Sequence, residues 1–251
     1  MRLGDKIAVV TGGGSGFGEG IARRFADEGA AVVVGDLNGA AAERVAGAIR
    51  AKGGRAAPIA ADVTKGTQVK AMIALALDSF GGLDVLVNNA GVPQRYQPLT
   101  EVGEAEFDRV FAVNVKGIYW TAIHAVPALK RRGGGVIINT ASTGAARPRP
   151  GLTWYNGSKG AVITLTRSMA VELAPDRIRV NAINPTAAET PLLTEEFGTI
   201  TPEMRARFVS SVPLGRLCEP LDVAKAALFL ASDEGAFLTG VCLDVDGGRS
   251  V

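Results

Sequence analysis

The sequence has little of the residues that build metal centres and disulfide frameworks. It contains two cysteines, Cys218 and Cys242, and a single histidine, His124. The cysteines lie far apart in the chain, and none of the three residues has the spacing of a metal-ligand set. We therefore predict no metal site and two reduced thiols, a pattern that is typical of a cytoplasmic protein.

Charge of one sign and long apolar runs are also scarce. Lysine and arginine number 27 against 25 aspartates and glutamates, a net charge of +2. This balance gives no reason to expect a nucleic acid or a membrane surface as a partner. No apolar stretch approaches the ~20 residues that span a bilayer, and the first apolar run, residues 7–10, is too short for a secretion signal.

Seven short apolar segments alternate with helical patterns along the 251 residues, of which 47% are hydrophobic. Continuously apolar strands are buried on both faces, so the alternation predicts a doubly wound α/β fold, with one parallel sheet and helices on both faces. A single domain over 1–251 fits this pattern better than two. The predicted strands cover residues 7–10, 31–34, 56–60, 84–87, 135–139, 179–183 and 241–245.

Helical periodicity is longest in the second half of the chain. It predicts one helix over 104–131, bent near Pro127, and another over 155–174. The stretch 190–212 mixes polar and apolar residues and contains two prolines, which predicts short helices in an excursion from the sheet. Its apolar residues suit a lid over a substrate.

A glycine-rich run, Thr11 to Gly18, follows the first predicted strand. Glycines at positions 12, 16 and 18 differ from the common G-x-G-x-x-G spacing. A strand that leads through such a turn into a helix brings bare N–H groups and a positive helix end together, where a pyrophosphate binds. The run predicts a dinucleotide site, and Asp36, at the end of the second strand, can accept hydrogen bonds from an adenosine ribose. Asp62 follows the third strand and suits either the adenine edge or a turn.

Tyr155 and Lys159 are four residues apart and share one face of a predicted helix. A nearby ammonium favours the phenolate. At roughly 4 Å and an effective dielectric of about 20, the attraction is at most about 4 kcal/mol, which would bring the tyrosine pKa from about 10 towards neutrality. The pair therefore predicts an acid/base device.

Taken together, the chain resembles a short-chain dehydrogenase/reductase over essentially its whole length. The motifs arrive in the family's order: Thr11-Gly12, Gly16-Phe17-Gly18, Asp62, Asn88-Asn89-Ala90-Gly91, Asn114, Ser142, Tyr155, Lys159, Asn184-Pro185 and Thr190. The resemblance implies a Rossmann-type fold and a catalytic set of Asn114, Ser142, Tyr155 and Lys159. In this set Tyr155 exchanges the substrate proton, Ser142 holds the substrate oxygen, Lys159 lowers the tyrosine pKa and binds the nicotinamide ribose, and Asn114 anchors a proton-relay water.

The resemblance also implies a nicotinamide cofactor. Ser15 before the second glycine, and Asp36-Leu37 at the second strand, favour NAD over NADP. The motif after Pro185 is unusual, because Thr186 stands where glycine is typical and Ala188 where a branched apolar residue is. The cofactor-binding residues implied are Gly12, Ser15, Phe17, Gly18, Asp36, Leu37, Asp62, Val63, Asn88, Ala90, Gly91, Tyr155, Lys159, Pro185, Ala188 and Thr190.

The expected substrate is a small secondary alcohol or ketone. Its predicted pocket is lined by Gln94, Thr143, Gly144, Trp154, Thr186, Leu192 and Leu193, with 190–212 as the lid. Loop arginines, among them Arg149, would suit an acid or phosphate group but are more often merely solvated. Family members are commonly tetramers packed through the long helices and the C-terminal segment, so a homotetramer is expected.

Three other functions stay open. A 3-oxoacyl-[acyl-carrier-protein] reductase would need NADPH and a basic docking patch near the pocket mouth, for which Lys130-Arg131-Arg132 is the candidate. A sugar 1-dehydrogenase would use the same catalytic set. An NAD-binding sensor or scaffold would keep the fold without turnover, and the complete catalytic set argues against it.

Overall fold

A seven-stranded, all-parallel sheet forms the centre of the computed structural model, which describes residues 1–251. The strands are β1 (Ile7–Thr11), β2 (Ala31–Asp36), β3 (Arg55–Ala60), β4 (Val85–Asn88), β5 (Gly135–Thr140), β6 (Ile178–Pro185) and β7 (Cys242–Val245). Their order across the sheet is β3-β2-β1-β4-β5-β6-β7. The predicted doubly wound, seven-stranded α/β fold is confirmed.

Helices connect the strands and cover both faces of the sheet. They are α1 (Gly16–Asp27), α2 (Gly39–Ala51), α3 (Gly66–Phe80), α4 (Glu104–Phe111), α5 (Gly117–Arg131), α6 (Thr153–Leu173), α7 (Pro191–Phe197), α8 (Pro202–Ser210) and α9 (Pro220–Ala231). The last three each begin with proline, whose missing N–H has no partner to lose at the first helical position. None of the helices combines the length and the apolar character that crossing a membrane requires.

The core lies in two layers, one on each face of the sheet. Adjacent strand residues alternate between them, so that Val10 packs with α1, α2 and α9 whereas Val9 packs with α3 and α5. Both valines are fully buried. Burial of a valine side chain contributes roughly 1.5–3 kcal/mol, and this two-sided burial explains why the strands read as continuous apolar runs.

The predicted single helix over 104–131 is divided by a π-helical turn at Ala112–Lys116. The turn is wider by one residue, and the Gly117 N–H bonds to the Ala112 carbonyl. Asn114 lies in this turn and is buried, whereas Pro127 lies within α5. π-Turns inside helices often mark functional positions.

Strand order reverses direction between β1 and β4. In open α/β sheets, ligands bind outside the carboxyl ends of the strands at such a point. The ends of β1 and β4 are tied together here, because the Thr11 hydroxyl accepts hydrogen bonds from the N–H groups of Asn89 and Ala90, both at 3.0 Å.

Candidate active site

A cavity of about 370 Å³ opens at the carboxyl ends of the strands. It runs from the glycine turn after β1 to the first turns of α6. Because parallel strands all end at the same edge, residues far apart in sequence meet in this cavity. The residues predicted from sequence that line it are Gly12, Ser15, Phe17, Asp36, Leu37, Asp62, Val63, Ala90, Gly91, Ser142, Thr143, Gly144, Tyr155, Lys159, Pro185, Thr186, Ala188, Thr190, Leu192 and Leu193.

The glycine turn depends on two kinds of glycine. Gly12 and Gly16 have φ angles of 61° and 52°, a left-handed conformation that side chains disfavour. Gly18 lies inside α1 and is buried, and a Cβ there would stand 2.0 Å from the Gly12 carbonyl oxygen. Gly18 therefore does not line the cavity; it lets the turn lie close to the helix.

Asp36 lies at the end of β2 and faces this turn. Its carboxylate accepts hydrogen bonds from the N–H groups of Gly14 and Asn38, both at 2.9 Å. Asp62 combines the two roles that the sequence left open, because it lines the cavity while one carboxylate oxygen accepts the N–H and hydroxyl of Thr64.

Asn88 does not line the cavity. Its side chain donates to Asn139 at 2.8 Å, and Asn139 donates in turn to Thr166 on α6 at 2.9 Å. This buried series of side-chain hydrogen bonds joins β4, β5 and α6 beneath the cavity. Asn89 takes the place at the cavity, with its amide bonded to the carbonyls of Thr11 and Gly12.

Tyr155 and Lys159 lie in the first two turns of α6 and face the cavity. The Lys159 ammonium donates to the Thr140 carbonyl at 2.8 Å and lies 5.8 Å from the centroid of the Tyr155 ring. Ser142 follows β5 and contacts the Tyr155 side chain. Three of the four predicted catalytic residues thus meet at one end of the cavity.

Asn114, the fourth, is buried behind them and does not line the cavity. Its side chain accepts from the Val92 N–H at 2.9 Å and donates to the Val92 carbonyl and the Ser158 hydroxyl, both at 3.0 Å. Both N–H donors of the amide are therefore engaged. A relay water held by Asn114 would bind the main-chain carbonyl or the remaining lone pair of the side-chain oxygen.

Burial has the largest effect on the pKa values of Tyr155 and Lys159. It raises the pKa of Tyr155 well above its usual value, with a further increase from Glu196, whereas Ser142 and Arg149 lower it. Burial also lowers the pKa of Lys159 to about 8. In the protein alone, desolvation therefore outweighs the pKa lowering that the sequence arithmetic assigned to Lys159.

Two predicted pocket residues do not line the cavity. Trp154 precedes Tyr155 by one residue, which turns it about 100° around the helix, and its ring packs edge-on against Phe107. Gln94 is fully buried and accepts from the N–H groups of Trp154 and Tyr155 at 3.0 and 3.2 Å. It caps the start of α6 and so fixes the backbone of Tyr155 from behind.

Several cavity residues were not predicted for the pocket. Arg149, from the loop before α6, and Glu196, from α7, both line it beside Tyr155. Glu196 carried no sequence signal beyond its place in the excursion. Arg149 was one of the loop arginines considered for an acidic substrate.

The basic segment Lys130-Arg131-Arg132 lies far from this cavity. Lys130 pairs with Asp176, just before β6, and Arg132 pairs with Asp84, just before β4. Both partners stand at the amino ends of the strands, opposite the cavity. The segment therefore does not form the docking patch at the pocket mouth that a carrier-protein reductase would need.

A glycine turn at a helix start, a carboxylate bonded to that turn and a Tyr-Lys-Ser group in one cavity are typical of a dinucleotide-dependent oxidoreductase. A family model described as enoyl-(acyl carrier protein) reductase matches residues 12–250. The 4-formylbenzenesulfonate dehydrogenase of Comamonas testosteroni is 51% identical, over 100% of both chains. The chain belongs to the short-chain dehydrogenase/reductase family.

Solved structures agree with this assignment. A 3-ketoacyl-(acyl-carrier-protein) reductase from Brucella melitensis, complexed with NADH, has a TM-score of 0.92 at 50% identity, covering 99% of this chain and 100% of that one. A 7α-hydroxysteroid dehydrogenase complexed with NADH and 7-oxo-glycochenodeoxycholic acid also has a TM-score of 0.92, at 37% identity over 98% and 95%. The protein is an oxidoreductase that uses a nicotinamide cofactor.

Proposed function

We propose that the protein transfers a hydride between NAD and a small secondary alcohol or ketone, with Tyr155 as general acid/base. The observation that carries the proposal is the meeting of Tyr155, Lys159 and Ser142 in the same cavity as the glycine turn. The test is formation of reduced nicotinamide, followed by absorbance, across a panel of secondary alcohols and sugars. No turnover of any member would contradict it.

In the proposed reaction the cofactor carries the hydride and the protein side chains handle the proton. A bound nicotinamide supplies the hydride acceptor or donor. Ser142 would hold the substrate oxygen against the Tyr155 phenol, which takes the hydroxyl proton in oxidation and returns it in reduction. Lys159 would stabilise the phenolate when charged, and Asn114 would lead the proton towards solvent through a water.

The cavity suits the cofactor in detail. The hydroxyl oxygens of Thr140 and Thr186 are both buried without a hydrogen-bond partner, and both residues line the cavity. Buried polar groups are nearly always paired. The two hydroxyls are suited to hydrogen bonds with polar groups of the nicotinamide half of a bound cofactor. Thr186, which stands where glycine is typical, would then add a contact that glycine could not make.

Thr186→Val should weaken cofactor binding by about 5–10-fold, the loss of one hydrogen bond. The same change should stabilise the cofactor-free protein by about 1 kcal/mol, because it removes an unsatisfied buried hydroxyl. Fluorescence titration and chemical unfolding measure the two effects. The matched control is Thr121→Val, whose hydroxyl bonds the Ile118 carbonyl at 2.9 Å: it should lose stability and keep its cofactor Kd. An unchanged Kd in Thr186→Val contradicts the contact.

Asp36 supports NAD rather than NADP as the cofactor. A carboxylate bonded to the glycine turn and lining the cavity repels a ribose phosphate. Replacing it, as in Asp36→Ser, should lower the ratio of kcat/KM for NAD to that for NADP by roughly 30–100-fold, equivalent to about 2–3 kcal/mol. The control Glu43→Gln removes an exposed carboxylate of α2 and should leave the ratio unchanged. A wild-type preference for NADP would overturn the assignment.

We also propose a homotetramer, packed through the long helices. In support, α5 presents Tyr119 and Ile123 half exposed, and α6 presents Val171 at 79% exposure. Such large apolar side chains at the surface are typical of subunit contacts. Light scattering after size exclusion gives the mass directly. The expected cytoplasmic location stays a prediction, supported by two free cysteines.

The alternatives differ in what they require. A carrier-protein reductase loses support because its expected basic patch stands at the opposite edge of the sheet. A sugar 1-dehydrogenase stays open and is covered by the substrate panel. A sensor or scaffold without turnover would bind NAD and give no reduced cofactor with any substrate.

A further inference from the structure

Arg149 stands out among the residues around the catalytic tyrosine. It lies in the loop between β5 and α6 and lines the cavity. The loop is fixed at this point, because the side chain of Asn156 donates to the Arg149 carbonyl at 3.0 Å. The guanidinium packs over the ring of Phe208 from α8, 5.5 Å from its centroid. Backbone and side chain are therefore both held in place.

The Arg149 guanidinium has no acceptor of its own. It takes part in no ion pair and donates no hydrogen bond within the protein, although it is half buried and burial lowers its pKa. Two nearby arginines are paired, Arg109 of α4 with Glu195 at 2.8 Å and Arg205 of α8 with Glu189. A partly desolvated guanidinium has five N–H donors to satisfy, and a ligand in the cavity that Arg149 lines can supply acceptors for them.

The carboxylate that faces Arg149 does not neutralise it. Glu196 lies beyond ion-pair distance, and burial raises its pKa to about 7, so that near neutral pH a good part of it is uncharged. Arg147 and Arg249 add positive charge to this side of the site. A second cavity shares Arg149, Glu195 and Glu196 with the first and is lined by three further arginines, Arg95, Arg207 and Arg249. This end of the site is electropositive.

We propose that Arg149 binds an anionic substituent of the substrate, a carboxylate or a sulfonate, while the reacting carbon lies against Tyr155. The inference rests on the proposed alcohol/ketone chemistry and narrows its substrate class to hydroxy or oxo acids. Arginine suits this role because its planar fork pairs with two oxygens of one oxyanion. The aromatic ring of Phe208 keeps the fork oriented and leaves its donors free.

The test compares an acid with its ester. The substrates are 4-(1-hydroxyethyl)benzoate and its methyl ester, which share the alcohol and differ in the charge. The wild type should prefer the acid in kcat/KM. In Arg149→Met the acid should lose about 10–100-fold, mainly through KM, as expected for one charge-assisted bidentate contact, and the ester should change less than about threefold. Arg149→Lys should recover part of the loss.

A matched control and a binding measurement keep the proposal separate from the proposed function. Arg131→Met removes an exposed arginine at the end of α5, far from the cavity, and should change the kcat/KM of neither substrate. Calorimetry with 4-acetylbenzoate and NADH measures binding without turnover. Arg149-dependent binding with no turnover supports the subsite and sinks the alcohol chemistry. If the wild type shows the same kcat/KM and the same affinity for acid and ester, the anion subsite is wrong, and the proposed alcohol/ketone chemistry is unaffected.

Discussion

Tyr155→Phe should lower kcat by about 10²–10⁴-fold, the contribution of a positioned general acid/base. The change removes one oxygen from a buried ring and keeps its shape, so neither the fold nor the cofactor Kd should move. The loss belongs to the proton-transfer step, because no other phenol lies in the cavity. Steady-state kinetics with the best substrate of the panel, together with a cofactor titration, measure both quantities.

The matched control for this substitution is Tyr119→Phe. Tyr119 lies on α5, is half exposed and does not line the cavity. It should retain activity within about twofold. Should Tyr155→Phe keep a kcat near that of the wild type, proton transfer must involve another group, and Glu196, with its pKa of about 7, would be the next acid to examine.

Much of the fold could be predicted because its signals are local. Strands buried on both faces appear as apolar runs. A helix cap is equally local: the Asn38 side chain accepts the Ala41 N–H at 3.1 Å at the start of α2, only three residues away. The π-turn at Asn114 could not be predicted in this way. Side-chain bonds to Val92 and Ser158 hold it, and neither contact is near in sequence.

For the site as well, residues placed by local signals could be predicted and those placed by distant contacts could not. Residues directly after strands, such as Ser142 and Asp36, could be placed because parallel strands share one carboxyl edge. Trp154 and Gln94 could not, since the face that each presents depends on the rotation of α6 and on the path of the 93–97 loop. Arg149 and Glu196 meet through α7, which is tied to that loop by the Tyr96 N–H and the Glu196 carbonyl at 3.1 Å.

The ionisation of the site was the least accessible from sequence. A four-residue spacing gives the attraction between Tyr155 and Lys159 but says nothing of desolvation. Burial acts on both groups and disfavours the charged form of each. In the protein alone the pKa of Tyr155 is therefore raised, whereas the spacing of Tyr155 and Lys159 predicted that it would be lowered. The positive charge of a bound oxidised nicotinamide would lower this pKa, in the direction predicted from sequence.

Gly18→Ala should disrupt both stability and cofactor binding, although it adds a single methyl group. That Cβ would stand 2.0 Å from the Gly12 carbonyl oxygen and 2.5 Å from the Asn89 amide nitrogen. Neither is the end of a flexible side chain free to move: one is backbone, and the other is bonded to the carbonyls of Thr11 and Gly12. The turn must shift away from the helix, which separates the N–H groups that would bind the pyrophosphate.

We expect Gly18→Ala to cost about 3 kcal/mol, at the upper end for an overpacked core position. That corresponds to a fall in Tm of roughly 6–12 °C for a chain of this size, and the cofactor Kd should rise at least about tenfold. Gly47→Ala is the control, because it lies in α2 with its nearest neighbour at 3.6 Å from the added Cβ. Alanine is the better helix former, so this variant should gain about 0.5–1 kcal/mol. Scanning calorimetry with and without NAD separates the two effects: a Gly18→Ala protein with wild-type Tm and Kd would show that the turn tolerates a side chain and that its glycine is not needed for close packing against α1.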